Sequence, residues 1–388
     1  MTAVFPQTIT FQVEAESASD ITAATLRYSV ERQSCAQVEA ESFPDFQKGK
    51  HISAQWTLDM RKAATLPIGA TLTYRWELRD AAGHTLQTPP TAYVFNDDRF
   101  TWRQVSFSEK GRGDVTLYWY NGDNAFASQL LSAARVALDR LAGSTGVRPE
   151  RPIKIYVYGS NSDLKGALIF PQEWTGGVAF TAYNIVVIGI TPSNLEWGKG
   201  AVTHELTHVV VEELTFNCLS NIPIWLNEGL ASYNEAEAVD NRYEQRLREG
   251  VARNNLLSIQ SISSSFPADE STALLAYGES RSLVDLLIKR YGPDKMRQFL
   301  GLFKQGNTQD AALREAYGVD AGGLERLWRQ GLGLAVEATV APTATPTRIP
   351  IPTFAPYTLP SADATATPAP LGTPAGVATA TPTATPPP

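Results

Sequence analysis

The sequence is poor in cysteine, in histidine and in positive charge. Its 388 residues include 2 cysteines, 4 histidines, and 33 lysines and arginines against 40 aspartates and glutamates. Two cysteines are too few for a disulfide framework. The acidic balance provides no electrostatic footprint for nucleic acid or for an anionic membrane. We therefore expect neither a nucleic acid nor a membrane surface among its partners.

Long apolar runs are also absent. The longest candidate, Ile185–Ile190, is far shorter than the roughly 18 consecutive apolar residues that a membrane-spanning helix needs. The first residues carry no basic segment followed by an apolar one, so no export signal is predicted in the sequence as it stands. No transmembrane segment is expected in this chain.

The two cysteines, Cys35 and Cys218, are far apart in the sequence, and neither has metal-ligand spacing to another residue. Two buried thiols are the commoner state of isolated cysteines. One long-range bridge is the alternative, and it would require an oxidising location. The sequence leaves both alternatives open, because a long-range pairing cannot be inferred from spacing.

The scarcity of histidine makes one segment informative. Residues 204–208, HELTH, contain two of the four histidines with Glu205 beside the first. On a helix, His204 and His208 would lie one turn apart on one face and could bind a single metal ion, with Glu205 next to the bound water. Apolar residues surround the motif and no proline interrupts it, which favours a helix.

A zinc site of this kind needs three protein ligands and one open position. Residues 224–231 predict a second helix that begins after Pro223, because the fixed φ of proline suits a helix start. This helix contains Glu228. His204, His208 and Glu228 are therefore the predicted ligands of one zinc ion per chain. The alternative is a buried helix with two hydrogen-bonded histidines.

HELTH followed by WLNEGLA at residues 225–231 resembles the gluzincin zinc peptidases, in which a glutamate on the next helix is the third ligand. The resemblance implies hydrolysis of peptide bonds in a peptide or protein substrate, with Glu205 as the general base. It also implies that Tyr277 stabilises the oxyanion, although aromatic residues at helical spacing are more often core residues. Glu212, one turn after His208, is either a partner that orients the histidines or a solvated residue.

Residues 1–97 alternate apolar and polar side chains in several runs separated by glycine, proline and aspartate. This pattern predicts an antiparallel β-sandwich, immunoglobulin-like in type. It is interpreted as structural support for the next domain rather than as a recognition module, because fold alone does not give function. The aspartates after Asn96 mark the predicted boundary.

Residues 98–335 are predicted to form the zincin-like domain: a hairpin, a helix ending at Gly143, two strands, the HELTH helix and a helical subdomain. The fold class is therefore α+β, with a mixed sheet in this second domain. Zinc peptidases of the family lay substrate along an edge strand. The resemblance assigns Gly177, Val178 and Ala179 to this role.

Gluzincin aminopeptidases carry a Gly-Xaa-Met-Glu-Asn segment whose glutamate binds the free amino terminus of the substrate. Residues 176–180, GGVAF, contain no carboxylate at that place. An ammonium group buried there would be unpaired, at a cost of several kcal/mol. We therefore expect an endopeptidase or a narrow-specificity peptidase, with Glu173 as the nearby residue that could substitute.

Residues 336–388 are rich in threonine, proline and alanine, and beyond Glu337 only Arg348 and Asp363 are charged. Such a segment cannot bury enough apolar surface to fold, so it is predicted to be a disordered stalk. Stalks of this composition often join exported domains to a surface anchor. An extracellular or cell-surface location is therefore expected, with anchoring through the tail.

Two other classes of function stay open at this point. One is an exported surface-binding protein whose peptidase domain is vestigial, and the presence of Glu205 argues against it. The other is a helical scaffold without catalytic activity. The identity of the substrate cannot be predicted, because the shape of the pocket depends on loops.

Overall fold

The computed structural model describes seven segments of the chain. They are residues 1–62, 66–109, 113–146, 148–170, 176–219, 221–235 and 241–335. Within these segments, no helix combines the length and the hydropathy needed to cross a membrane. The predicted stalk at 336–388 lies outside them. Met1–Glu337 forms one compact unit, and the domain boundary at residue 97 stays a prediction.

The first seven strands form one antiparallel sheet. They are β1 (Thr2–Val4), β2 (Thr8–Val30), β3 (Ala40–Ser42), β4 (Gly49–Asp59), β5 (Thr71–Asp80), β6 (Thr85–Gln87) and β7 (Thr91–Val94). The long strand β2 organises the sheet, because it pairs with β4 along its first half and with β5 along its second half. Alternate residues of these strands are buried, as the period-two pattern predicts.

Strand β2 folds over so that its two halves face each other. Phe11 and Tyr28 would lie on the order of 55 Å apart on a straight strand, yet their ring centroids are 6.0 Å apart. The pairing with β4 is irregular between Glu16 and Ile21, and irregularities of this kind bend a strand. The two halves enclose a common core, as in a sandwich; an immunoglobulin-like topology stays a prediction.

A second, mixed sheet follows in the chain. Its strands are β8 (Arg103–Glu109), β9 (Gly113–Trp119), β10 (Ile153–Tyr158), β11 (Gly177–Phe180) and β12 (Ile185–Gly189). Their order is β11-β12-β10-β9-β8. Strand β10 is parallel to both of its neighbours, whereas β8 and β11 are antiparallel to theirs. Strand β11 therefore lies at an edge.

Both faces of the mixed sheet are covered. Ile155 and Val157 of β10 belong to a core shared with the helices, whereas Tyr156 and Tyr158 belong to the core of the N-terminal sheet. Buried Asp97 accepts a hydrogen bond from the Tyr158 hydroxyl at 2.9 Å, which ties the predicted boundary segment to this sheet. The N-terminal sheet thus supports the sheet beside the predicted site.

Nine α-helices lie in the described segments, and together with the two sheets they confirm the predicted α+β class. They are α1 (Asn124–Thr145), α2 (Asn161–Lys165), α3 (Leu195–Thr215), α4 (Ile224–Asn234), α5 (Asn241–Ala252), α6 (Glu270–Tyr291), α7 (Pro293–Lys304), α8 (Gln309–Tyr317) and α9 (Ala321–Gly331). Helix α1 continues past Gly143, where the sequence predicted its end. Gly146, with φ of 75°, supplies the left-handed residue that ends it.

The two cysteines are bonded to each other. Cys35 and Cys218 form a disulfide with their Cα atoms 5.7 Å apart. Of the two alternatives left open by the sequence, the long-range bridge is the one in the structure. It joins the N-terminal region to the connection between α3 and α4.

Candidate metal centre

Helices α3 and α4 bring the three predicted ligands together. The Nε2 atom of His204 lies 3.3 Å from Oε2 of Glu228, and Nε2 of His208 lies 3.7 Å from the same oxygen. The candidate ligand atoms all lie within 4.8 Å of one another, and no other such group is present in the described part of the chain. Two imidazoles and one carboxylate thus converge on one point.

The local sequence explains this convergence. Leu206, Val209 and Val210 of α3 are fully buried, so the helix turns the face with the histidines away from that core. Helix α4 begins directly after Pro223, as predicted. Its first amides are satisfied by a distant loop, since Ile224 N–H donates to the Ser263 carbonyl at 2.9 Å.

The second nitrogen of each histidine is also bonded. His208 Nδ1 donates to Oδ1 of Asn227 at 3.0 Å, and His204 Nδ1 donates to a carboxylate oxygen of Glu235. These bonds place the proton of each neutral ring on Nδ1 and leave the Nε2 lone pair for a metal. Glu212, the partner considered from the sequence, is not one of the two.

Asn227 and Glu235 were missed by the sequence analysis. Asn227 precedes Glu228 directly, and Glu235 follows it by two helical turns, so both lie on or next to the helix that was already predicted. Periodicity could have placed Glu235 near the face of Glu228. It could not have shown which histidine each residue contacts.

Glu228 has the electrostatics of a metal ligand. Burial would raise the pKa of its carboxyl, but His208 and His204 outweigh burial and hold the pKa below its ordinary value. Its Oε2 atom is buried and has no hydrogen-bond partner in the described part of the chain. A buried carboxylate oxygen without a hydrogen bond among the described residues, facing two imidazole nitrogens, would be paired by a bound cation, and two nitrogens and one oxygen suit zinc.

Glu205 lies between this centre and the edge strand. Burial is the main cause that raises the pKa of its carboxyl above the ordinary value. A methyl group added at Gly177 would meet Oε1 of Glu205 at 2.7 Å. The start of β11 and the predicted general base are therefore in close contact.

Strand β11 presents its backbone alternately to β12 and to the open edge. Gly189 N–H donates to the Gly176 carbonyl at 3.0 Å. Because hydrogen-bonded pairs alternate in an antiparallel ladder, Val178 also faces β12, whereas Gly177 and Ala179 turn their N–H and C=O groups outward. Of the three residues predicted to bind substrate, Gly177 and Ala179 direct their backbone groups away from β12 and Val178 does not.

Tyr277 lies beside the centre on α6. Its ring centroid is 6.3 Å from that of His204, and its ring packs against Tyr243 and Phe266 at 5.3 and 5.0 Å. Burial, together with the nearby carboxylate of Glu228, raises its pKa well above the ordinary value. The phenol is therefore a protonated hydrogen-bond donor near the ligands. Glu173, the suggested substitute for an amino-terminus ligand, lies outside the described residues.

Residues 133–333 match the family described as the Peptidase MA superfamily. The chain belongs to this superfamily. The match contains both ligand helices and Tyr277, so it covers all the residues proposed to act directly on a metal or on the reacting groups. No curated protein matches the sequence.

Solved structures similar to this superfamily member include zinc metallopeptidases. A crystal structure of M1 zinc metallopeptidase from Deinococcus radiodurans has 13% identity and a TM-score of 0.38, over 85% of this chain and 90% of that chain. A Legionella pneumophila aminopeptidase A in complex with aspartic acid has 11% identity and a TM-score of 0.40, over 83% and 34%. Similarity at this level identifies neither an activity nor a substrate.

Proposed function

We propose that this protein is a gluzincin-type zinc metallopeptidase that hydrolyses internal bonds of extended peptides. The observation that carries the proposal is that His204, His208 and Glu228 converge, and that Oε2 of Glu228 is buried without a hydrogen bond to any described residue. The proposal assigns one zinc ion per chain to these ligands. Zinc held there would polarise the scissile carbonyl and lower the pKa of a water molecule toward ~7.

The chain's own residues would handle the proton. Glu205 would accept it from the attacking water and return it to the leaving amine. A pKa raised by burial suits this role, because the same carboxyl must both take and release the proton. Tyr277 would donate a hydrogen bond to the oxygen on which negative charge develops.

An extended peptide would pair with the outward-facing groups of Gly177 and Ala179 at the edge of the sheet. Endopeptidase-like activity is supported by residues 176–180, which hold no carboxylate for a free amino terminus. Glu228 is assigned to the metal in this proposal, and Glu235 is hydrogen-bonded to His204. A substrate ammonium would therefore lack a partner on this strand, which would favour substrates whose chain continues in both directions.

The test uses one peptide in two forms, one with a blocked amino terminus and one with a free amino terminus. Cleavage of each form is measured with the zinc-loaded native protein and with Glu205→Gln. We expect internal cleavage of both forms by the native chain, loss of both activities in the variant, and about one zinc per chain in each protein. Cleavage of only the free form, one residue at a time from its amino end, would contradict the endopeptidase proposal. Unchanged activity in Glu205→Gln would contradict the assigned mechanism.

We also propose an extracellular or cell-surface location. The bridge between Cys35 and Cys218 supports it, because disulfides persist in oxidising compartments. The composition of residues 336–388 supports it as well. Labelling intact cells with a membrane-impermeant amine reagent should modify the protein. Labelling only after lysis would argue against this location.

A further inference from the structure

We propose that Gly177 positions the general base, and this inference rests on the proposed function. A Cβ atom at Gly177 would lie 2.7 Å from Oε1, 3.1 Å from Cδ and 3.1 Å from Cγ of Glu205. The whole end of the Glu205 side chain therefore lies against the backbone of β11. The absence of a side chain at residue 177 sets how near the carboxylate comes to the strand.

The backbone conformation does not require glycine here. Gly177 is not among the glycines with positive φ, and it lies in regular antiparallel pairing with Ile188. An alanine could adopt the same φ and ψ. The close approach of Glu205 is thus the constraint that the structure places on this residue.

An alanine at this position would displace the Glu205 carboxylate and would leave strand β11 in place. The nearest atoms belong to the free end of a flexible side chain, whereas β11 is fixed by its hydrogen bonds to β12. Restoring ordinary carbon–oxygen contact would move Oε1 by about 0.7 Å or more. Displacements near 1 Å at a reacting group can cost about 10²-fold in rate.

The same residue would also offer its N–H and C=O groups to the substrate at the open edge. Strand β11, which would bind the substrate next to its scissile bond, would thus also fix the distance from that bond to the Glu205 carboxylate. Gly177 is a positioning residue in this arrangement, because it acts on the reaction through Glu205.

The first experiment compares Gly177→Ala with Gly143→Ala in the full chain. Gly143 lies on α1, where an added methyl group meets nothing within 4 Å. We expect Gly177→Ala to keep its zinc content and thermal stability, to lower kcat by about 10²-fold and to change KM by less than about threefold. Gly143→Ala should keep full activity. Loss of zinc or of stability in Gly177→Ala, or a change confined to KM, would overturn the proposal.

A double-mutant cycle with Glu205→Asp isolates the contact. Aspartate is shorter by one methylene and removes the closest contact, the one of 2.7 Å with Oε1, so Gly177→Ala should cost at most a few-fold more in the Glu205→Asp background. Equal losses of rate in both backgrounds would overturn the positioning role. An inactive Glu205→Gln beside a fully active Gly177→Ala would overturn this inference alone, whereas a fully active Glu205→Gln would overturn the proposed function itself.

Discussion

At the scale of single residues, the candidate metal centre depends on side chains that are not themselves metal ligands. Asn227 and Glu235 fix the rings of His208 and His204 through their Nδ1 atoms. Partners of this kind orient the ring and increase its basicity. The ligand triad alone is therefore an incomplete description of the site.

Removing either partner should weaken zinc binding. We expect Asn227→Ala and Glu235→Ala each to lower zinc affinity by about 10–100-fold, because the ring loses its fixed orientation. Competition with a chromophoric chelator measures this change. Glu212→Gln is the matched control on α3, and it should bind zinc like the native chain. A loss of affinity in the control equal to the losses in the two variants would contradict the assignment of partners.

Glu279 on α6 is a buried acid outside the proposed chemistry. One of its oxygens accepts a hydrogen bond from Leu257 N–H at 2.9 Å, and the other has no partner among the described residues. Burial is the largest cause that raises its pKa, from 4.5 to about 8. Because the folded state holds this proton more tightly than the unfolded state, its contribution to stability is full below pH 4.5 and is lost as the pH rises through about 8.

Glu279→Gln should therefore remove part of the pH dependence of unfolding. Between pH 5 and pH 9, the free energy of unfolding of the native chain should fall by a few kcal/mol relative to that of the variant, since each pKa unit corresponds to about 1.4 kcal/mol. Urea unfolding at several pH values measures both curves. Parallel curves would show that the carboxyl does not titrate as described.

At the scale of elements, the packing of α4 against α6 fixes Glu228. A methyl group at Gly229, the next residue, would meet the Ser280 carbonyl oxygen at 2.5 Å and the Val284 side chain at 2.8 Å. The first of these is backbone and cannot rotate away. The two helices are therefore held at a separation that only glycine permits at this position.

Gly229→Ala should separate these helices. Alanine favours a helix over glycine by about 1 kcal/mol, but overpacking costs about 1–3 kcal/mol, so we expect a net loss of stability together with weaker zinc binding. Thermal unfolding with and without a chelator measures both effects. Gly143→Ala, in open space on α1, should be neutral or stabilising. A stabilised Gly229→Ala would mean that the helices adapt at no cost.

Sequence signals predicted helices and their starting points well where the signal lies in or next to the helix itself. The motif and Pro223 predicted α3 and the start of α4. The start of α6 at Glu270 is also set locally, because the Asp269 carboxylate accepts a hydrogen bond from Thr272 N–H. Contacts between distant segments could not be predicted. The bond between His204 and Glu235 depends on how α4 lies across α3, and no local pattern records that angle.

At the scale of the whole molecule, the disulfide closes a very long loop. Cys35 and Cys218 are separated by 183 positions. In the chain-entropy account, a loop of more than 100 residues contributes about 5 kcal/mol, with native-state strain reducing the gain. Most of this stabilisation would come from restricting the unfolded chain.

Removing the bridge should lower stability without altering the centre. We expect the Cys35→Ser/Cys218→Ser double variant to lose about 2–5 kcal/mol in its free energy of unfolding and to keep its zinc at 25 °C. Denaturant unfolding and metal analysis measure these quantities, with the native chain in reductant as a second comparison. A double variant as stable as the oxidised native chain would contradict the expectation.

Because both faces of the mixed sheet are covered, the sheet can grow only at its edges, and β11 is the edge strand in contact with Glu205 at the metal centre. In the proposed reaction a substrate would become a temporary sixth strand, and a segment inside a helix or an intact sheet has no free backbone to offer. The rate of attack on a folded protein would then follow how often that segment opens. Selectivity in this protein would be set by the folding equilibrium of its target as much as by any side chain.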